Sequence, residues 1–538
     1  MPRVSDSTRG ENMLKETLQN KEHLRKYLFR RGYLLTSRSD IDLAVYPFYG
    51  NWSSKQITQK FYLYIHNEQH FYTYSKEGIH AALIGHAYNP FSMKTDETEI
   101  LADCINAYQK SKRDFFEAVS ELTGIHLIAV FDQEKVLFVQ DCSGMMMCNY
   151  GFCRNNLYIT SNSAVIEDID QPKKNEFVEK LLKSKSYRRG SKYLPGDLTP
   201  YEGICRLGPN LSLTYQDNRF TVARFYPYAT HPEVDETNTQ VSKEIAGLIK
   251  NSVALCAQKW EKPAISLSGG VDSRTTLSGA VGNYDKFFYY SFHSKPQEVD
   301  DANAAHNICT EIGVHHEIYP ISDKNEDYED FAAYREIITH NSAGVSTPKD
   351  HEIRKYIFLS KLDTFQVELK SWASEIGRAF WERRYGIKLP NKLHARHLSI
   401  FQTRYFAEPS LLRSSDEAYR DFMRKSSFIY PMYNYENSDI FYWEYRFGSW
   451  GTIVTTGQNI FNFEVTMPMN NRKIMDMFLW YPHLFRRMDQ VNRSIMQHNN
   501  PQLLEAGNRI HNDYLGKKRQ LLESMYYYYR TLFYFRKR

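Results

Sequence analysis

"AISLSGGVDSRTTLSGA", residues 264–280, decides the fold class. An apolar run of strand length turns on Gly269 and Gly270 and leads directly into a helical pattern. Glycine lets the backbone come close to a ligand, because it has no side chain and tolerates φ > 0. The start of the next helix offers amide groups without intrahelical partners and a partial positive charge, a natural seat for phosphate. No GxxxxGK[ST] and no GxGxxG is present, so this is neither the lysine-bearing phosphate loop nor the dinucleotide fingerprint. The turn carries instead Asp272, a candidate Mg2+ ligand, and Ser268 and Ser273, whose hydroxyls can donate to phosphate oxygens. A plain strand–helix turn needs only the two glycines. The added serines and aspartate at fixed offsets point to a magnesium-bound pyrophosphate. The residues expected to hold nucleotide are Ser266, Leu267, Ser268, Gly269, Gly270, Asp272, Ser273, Arg274 and Ser291.

Around this stretch strands and helices alternate. "TQVSKEIAGLIKNSVALCAQKW" reads as a helix, "AISLS" as a buried strand, "SRTTLSGAV" as a helix, "KFFYYSF" as a strand and "DDANAAHNICTEIGV" as a helix. That alternation predicts a parallel sheet with crossover helices. From about residue 400 onward the pattern is mainly helical. Before the polar stretch at 226–240, taken as the domain boundary, the chain reads as antiparallel strands: "FYLYIHN", "LIAVFDQEKVLFVQD" and "NLYITSNSA". "TDETEILADCINAYQKS" has helical spacing behind Thr95, its expected cap. Three units are expected: 1–232, 233–508 and a basic aromatic tail, 509–538.

Composition limits the alternatives. Forty tyrosines and 32 phenylalanines argue against disorder. Seven scattered cysteines form no CxxC, so neither a zinc site nor a disulfide framework is expected; Cys142, Cys148 and Cys153 read as buried packing. No apolar run reaches spanning length and the first 30 residues lack a signal-peptide core, so a cytoplasmic protein is expected. The net charge of +5 belongs to the tail, where residues 509–538 hold eight Lys/Arg against two acids; the rest is near −1. With no basic patch in the main body, no nucleic-acid partner is expected. The adjacent His315 and His316 point to opposite faces of a strand and make no recognised metal spacing.

The segment Ser268-Gly269-Gly270-Val271-Asp272-Ser273 resembles the pyrophosphate loop of the ATP pyrophosphatases, and more narrowly that of the asparagine synthetase family. "DDANAAHNICTEIGVHH" (300–316) is similar to that family's D-A-x-x-A…G-x-x-H run, with Asp301, Ala302, Ala305, Gly313 and His316 in register. "TPYEGICRLGPNLSL" (199–213) resembles the segment closing its first domain. The resemblance implies an α+β N-terminal-nucleophile sandwich followed by an α/β parallel-sheet domain with a helical C-terminal part. It also implies an ATP-dependent, AMP-forming carbon–nitrogen ligase, with ATP and Mg2+, that joins a small-molecule or peptide carboxylate to an amine. A homodimer is also expected on this basis.

Two departures from the family pattern bear on the chemistry. The family's glutaminase needs an N-terminal cysteine; this sequence begins Met1-Pro2-Arg3 and its first cysteine is Cys104, so glutamine hydrolysis is expected to be lost. The second signature, G-x-G-x-D-E, falls on "FQVELKSWASEIGRAFWERRYG" (365–386), where Lys370, Trp372 and Ser374 replace the glycines and aspartate. Glu375 takes the place of the final acid, with Arg378 one turn on; Glu375 or Glu368 is the expected amine-site base. Farther on, "MPMNNRKIMDMFLWYPHLFRRMDQVNRSIMQHNNPQLL" (467–504) resembles the family's later run. Arg493 stands near its lysine, and Arg487 or Arg493 is expected to contact the adenylate or pyrophosphate. Relatives lacking the nucleophile act in surface-polysaccharide amidation and in peptide or β-lactam ring closure, and Arg274 after the serine looks most like the sugar branch. Two alternatives stay open: a non-catalytic nucleotide-binding scaffold, favoured by the degraded second signature, and a sulfur-transfer enzyme, for which no cysteine pair speaks. In the tail, Leu522, Met525, Tyr526, Tyr529 and Phe533 form one helical stripe, expected to dock on protein or on a membrane surface.

Overall fold

A computed structural model of the chain describes residues 6–133, 135–189, 193–403, 408–428, 432–505 and 517–536. Short alternating segments punctuated by turns build the first half. Its strands are β1 (Tyr33–Thr36), β2 (Trp52–Thr58), β3 (Phe61–His66), β4 (Phe71–Lys76), β5 (Ile79–Tyr88), β6 (Thr123–Asp132), β7 (Lys135–Gln140), β8 (Asn149–Cys153), β9 (Asn156–Thr160), β10 (Ile204–Arg206), β11 (Leu211–Gln216) and β12 (Arg219–Arg224). They form two antiparallel sheets, ordered β10-β8-β9-β1-β3-β2 and β12-β11-β7-β6-β5-β4. The period-2 alternation of side chains gives each sheet an apolar face toward the other. Phe61 of the first sheet meets Phe131 and Tyr215 of the second edge-on, and Tyr150 meets Phe220. The helix Glu97–Lys110 packs on β4 and β5, and Ser163–Asp170 packs on β8 and β9. The first of these starts one residue later than expected: Asp96, not Thr95, caps it, accepting from the amides of Thr98 and Glu99.

The second half is a five-stranded, wholly parallel sheet of β13 (Pro263–Ser266), β14 (Phe288–His293), β15 (Glu317–Pro320), β16 (Val367–Leu369) and β17 (Glu464–Thr466). Its order is β15-β14-β13-β16-β17. The chain therefore steps outward in one direction from β13 to β15 and then in the other through β16 and β17. The change of direction lies between β13 and β16, and ligands of open parallel sheets bind in the crevice at the carboxyl end of such a switch point. β17 sits inside the stretch read as mainly helical; three residues are too few for a period-2 signal to show. Helices Thr239–Lys259, Val271–Gly279 and Pro296–Glu311 lie where the alternation places them. All seven cysteines are free, and six are buried.

The two halves are joined through buried polar contacts. Arg472, 1% exposed, donates to Asn210 Oδ1 at 2.8 Å and to the Asp141 carbonyl at 3.3 Å. Asn470 donates to the Gly124 carbonyl at 2.7 Å and Asn471 to that of Glu121 at 2.7 Å. The "MPMNN" segment thus joins the halves. At the β17 edge Glu464 pairs with His70 at 2.7 Å and lies 3.6 Å from His86. Burial pushes His86 down to about 3, whereas the hydrogen bond to Glu464 raises the half-exposed His70. A raised folded value means that the His70 contribution to stability is complete below the ordinary value of about 6.5 and is lost as pH rises through the folded value. The stability difference between the natural protein and His70→Gln, measured as urea midpoints, is accordingly larger in mild acid than in mild alkali. An equal difference at both would refute the pairing.

Candidate nucleotide site

The loop between β13 and helix Val271–Gly279 is closed on itself by serine hydroxyls. Ser273 Oγ donates to the carbonyls of Ser268 (3.0 Å) and Gly270 (3.2 Å), and Ser268 Oγ accepts from the Gly270 amide at 3.2 Å. Gly269 donates its amide to Asp301 Oδ1 at 2.8 Å, which ties the loop to the next crossover helix. Gly270 has φ −75°, and a Cβ there would stand 3.1 Å from Ser268 Oγ. Small size, not a left-handed backbone, is what glycine supplies at this position. The helix begins without a side-chain cap, and the amides of Val271, Asp272 and Ser273 have no partner among the described residues. Such amides at the switch point form an anion seat.

Cations border this seat. Arg274, 2% exposed, curls back to the Gly269 carbonyl at 3.1 Å and reaches that of Leu503 at 3.4 Å. Burial lowers its basicity, and the nearby Arg493 lowers it further. Arg493 itself makes no side-chain hydrogen bond or ion pair among the described residues. A buried guanidinium whose charge is disfavoured by burial and by a second arginine is an arrangement that a bound anion relieves.

Acids occupy the other flank. Asp272, 27% exposed at its side chain, accepts from Ser374 Oγ and is ion-paired with Arg378. Arg378 is buried and also grips Asp489 through Nε at 2.8 Å and Nη2 at 3.1 Å; Arg383 reaches the same carboxylate at 3.0 Å. Burial opposes the charge on Arg378, but Asp272 and Asp489 together outweigh it and raise its pKa. Glu375 accepts from Tyr442 OH at 2.6 Å and adds its own charge to the field on Arg378. The turn bearing these residues passes close to Phe478: a Cβ on Gly377 would lie 2.5 Å from that ring. Tyr442 opens a π-helical segment, Tyr442–Gly451, a rare conformation that recurs at functional sites.

The fold brings Ser268, Gly269, Gly270, Asp272, Ser273, Arg274, Glu375, Arg378 and Arg493 together around the loop. Other expected residues fall elsewhere. Ser291 is buried, its hydroxyl at 2.7 Å from the Leu267 carbonyl and 2.9 Å from His316 Nε2, so it braces the loop from behind. Leu267 is buried, with its amide on the Tyr290 carbonyl, and Ser266 ends β13. Glu368 is fully buried against Lys370 inside β16, which removes it as an amine-site base. Arg487 pairs with Glu382 at 3.1 Å. His315 is exposed beside Glu317. Asp489, Tyr442 and Ser374 were not legible as site residues. Asp489 alone carried a signal, as a cap-type residue before a helix; its φ of 60° is visible only in the structure.

The family model described as asparagine synthase matches residues 244–369. That match covers under a quarter of the chain. The matched span includes the serine–glycine loop, Asp301, His316 and β16; Glu375, Arg378 and Arg493 lie beyond it. No curated protein matches. Solved structures similar to the chain include B. subtilis glutamine phosphoribosylpyrophosphate amidotransferase complexed with ADP and GMP, at 12% identity and TM-score 0.23, covering 50% of this chain and 61% of that one. An allosteric regulatory enzyme of purine biosynthesis follows at 9% identity and TM-score 0.25, covering 61% and 88%. Glutamine-dependent NAD+ synthetase from Acinetobacter baumannii, in complex with ADP, stands at 11% and 0.17, covering 44% and 45%. Likenesses this low carry no weight for chemistry.

Asp489 is 7% exposed between two guanidiniums that are themselves buried. Removing one partner of a buried ion pair leaves an uncompensated charge and costs about 3 kcal/mol or more. Asp489→Ala is expected to lose at least that much in urea unfolding, and Asp489→Asn to lose less. A loss below about 1 kcal/mol, the range of surface pairs, would contradict this placement.

Proposed function

We propose that the chain is an ATP-dependent amide-forming ligase. A carboxylate oxygen attacks the α-phosphate of ATP, the bond to the bridging oxygen breaks, and pyrophosphate leaves an acyl-adenylate behind. The nitrogen of ammonia or another amine then attacks the acyl carbon, the bond to AMP breaks, and the amine proton passes to a base, for which Glu375 is the candidate. The carrying observation is the uncapped helix start at the switch point, with Arg274 and the unpaired Arg493 beside it. Donors fixed around a leaving pyrophosphate stabilise its growing charge at no cost in reorganisation. The asparagine synthase match over this span supports the same reading. Asp272, with Glu375 nearby, fits Mg2+, which takes one or two carboxylates and completes its shell with phosphate oxygens and water. Its chemistry there is to neutralise pyrophosphate charge. Arg378 orients Asp272 and is itself locked by Asp489.

On this reading residues 1–232 are an N-terminal-nucleophile-like scaffold, 233–508 the ATP-pyrophosphatase unit, and 509–538 a tail. Burial pushes the thiols of Cys104, Cys142, Cys148 and Cys205 up to about 12 and raises that of Cys153, which supports a first half without cysteine nucleophile chemistry. A nucleotide-binding scaffold is the second reading, favoured by the Arg378 ion pair that already satisfies Asp272.

Mg2+-ATP at about 100 times its dissociation constant should stabilise the natural protein by roughly 2.7 kcal/mol, and Asp272→Ala should lose most of this shift. AMP release from a panel of carboxylates and amines separates the readings. A shift with AMP supports the ligase, a shift without AMP supports the scaffold, and no shift overturns both.

A further inference from the structure

The tail helix Lys517–Arg536 rests on the body by one narrow edge. Tyr527 and Thr531 are buried there, Glu523 is buried with its carboxylate 3.3 Å from Arg519, and Gln520 Nε2 donates to the Arg383 carbonyl at 2.7 Å. Below this edge lies an aromatic slot of about 330 Å³ lined by Trp381, Tyr385, Phe401 and Tyr526. Of the stripe read from the sequence as a docking face, Tyr526 lines this slot and the rest is turned away from the protein. Leu521, Leu522, Met525, Tyr529, Leu532 and Phe533 are all exposed, Leu522 at 66% and Leu532 at 63%. At 3.6 residues per turn they share one face of roughly 120°. Side chains of this size are seldom left in water as a contiguous band without a purpose.

We infer that this helix is an interfacial anchor that lies in the surface of an anionic lipid membrane. The charges select the occupant. Lys517, Lys518 and Arg519 are exposed at the start of the helix and Arg530 lies half-buried over the Tyr526 ring, while Glu523, the one acid of the helix, is buried and paired. A second copy of the chain would bring the same cations together with no acid on the face to meet them. A membrane answers both features: acyl chains take up the leucines and phenylalanine, and anionic headgroups meet the lysines and arginines. Tyrosines at the rim suit the headgroup level. Among the described residues no helix is long and apolar enough to cross a membrane, so the tail lies on the surface. Its seat is the helix Phe380–Tyr385, which begins two residues after Arg378. Docking thus places the lipid-bound helix against the element whose Arg383 holds Asp489.

Vesicle co-sedimentation of the full chain tests this. Binding is expected to vesicles of phosphatidylcholine with one third phosphatidylglycerol, not to phosphatidylcholine alone, and to weaken as salt screens the headgroups. Leu522→Asp with Leu532→Asp should lower binding at least tenfold with an unchanged melting temperature, since both side chains are in solvent. Lys518→Gln should lower it about fivefold, the value of one cation near an anionic surface, and Met93→Asp, at an exposed methionine outside the tail, should leave it unchanged. No binding of the natural protein to the anionic vesicles overturns the inference, as does equal binding by the double variant. A lipid-free dimer that the double variant disperses also overturns it, and assigns the face to a second copy.

Discussion

The Asp489 carboxylate, buried between Arg378 and Arg383, is the interaction on which the candidate site depends. Through Arg378 it reaches Asp272 on the first turn of the loop helix, so acids and bases from three separate parts of the chain settle as one unit. Burial disfavours the charge on Arg378, and the paired carboxylates make a guanidinium tolerable there. The same pairing keeps Asp272 aimed at the crevice. An arrangement whose every member needs the others has few alternative geometries.

A comparable logic joins the two halves. Arg472, Asn470 and Asn471 donate to the Asp141, Gly124 and Glu121 carbonyls of the first half, and Trp443 gives its indole N–H to the Cys142 carbonyl at 2.8 Å. These groups are directional, so they set the angle between the halves more sharply than apolar contact can.

Much of the architecture was legible because it rests on local patterns. The period-2 runs of the first half, the strand–helix alternation after residue 239 and the serine–glycine turn each leave a signature within a dozen residues. β17 did not, being three residues long, and Asp96 displaced Thr95 as a cap because the two are adjacent candidates and geometry chooses. Within the site, the loop residues could be read from spacing, and Glu375 from its place in the resemblance to the family's second signature. Asp489 and Tyr442 could not: they lie more than 60 residues from their partners, and nothing local distinguishes a carboxylate that will neutralise two buried guanidiniums from one on a solvated turn.

The tail shows the same division. Its amphipathic stripe is written in the order of the residues, since helical period alone puts Leu522, Met525, Tyr529 and Phe533 on one side. Which side meets the protein is not a local property. Tyr527 and Thr531 won the contact because the slot beside Trp381 and Phe401 accepts an aromatic edge, and that slot exists only once helices from distant stretches have packed. Sequence by itself determined most of the elements, their periodicities and the serine–glycine loop, all governed by neighbours a few positions apart. The tertiary structure alone decided which charges pair, which serine braces the loop and which face stays in water, because those outcomes depend on burial and on partners hundreds of residues away.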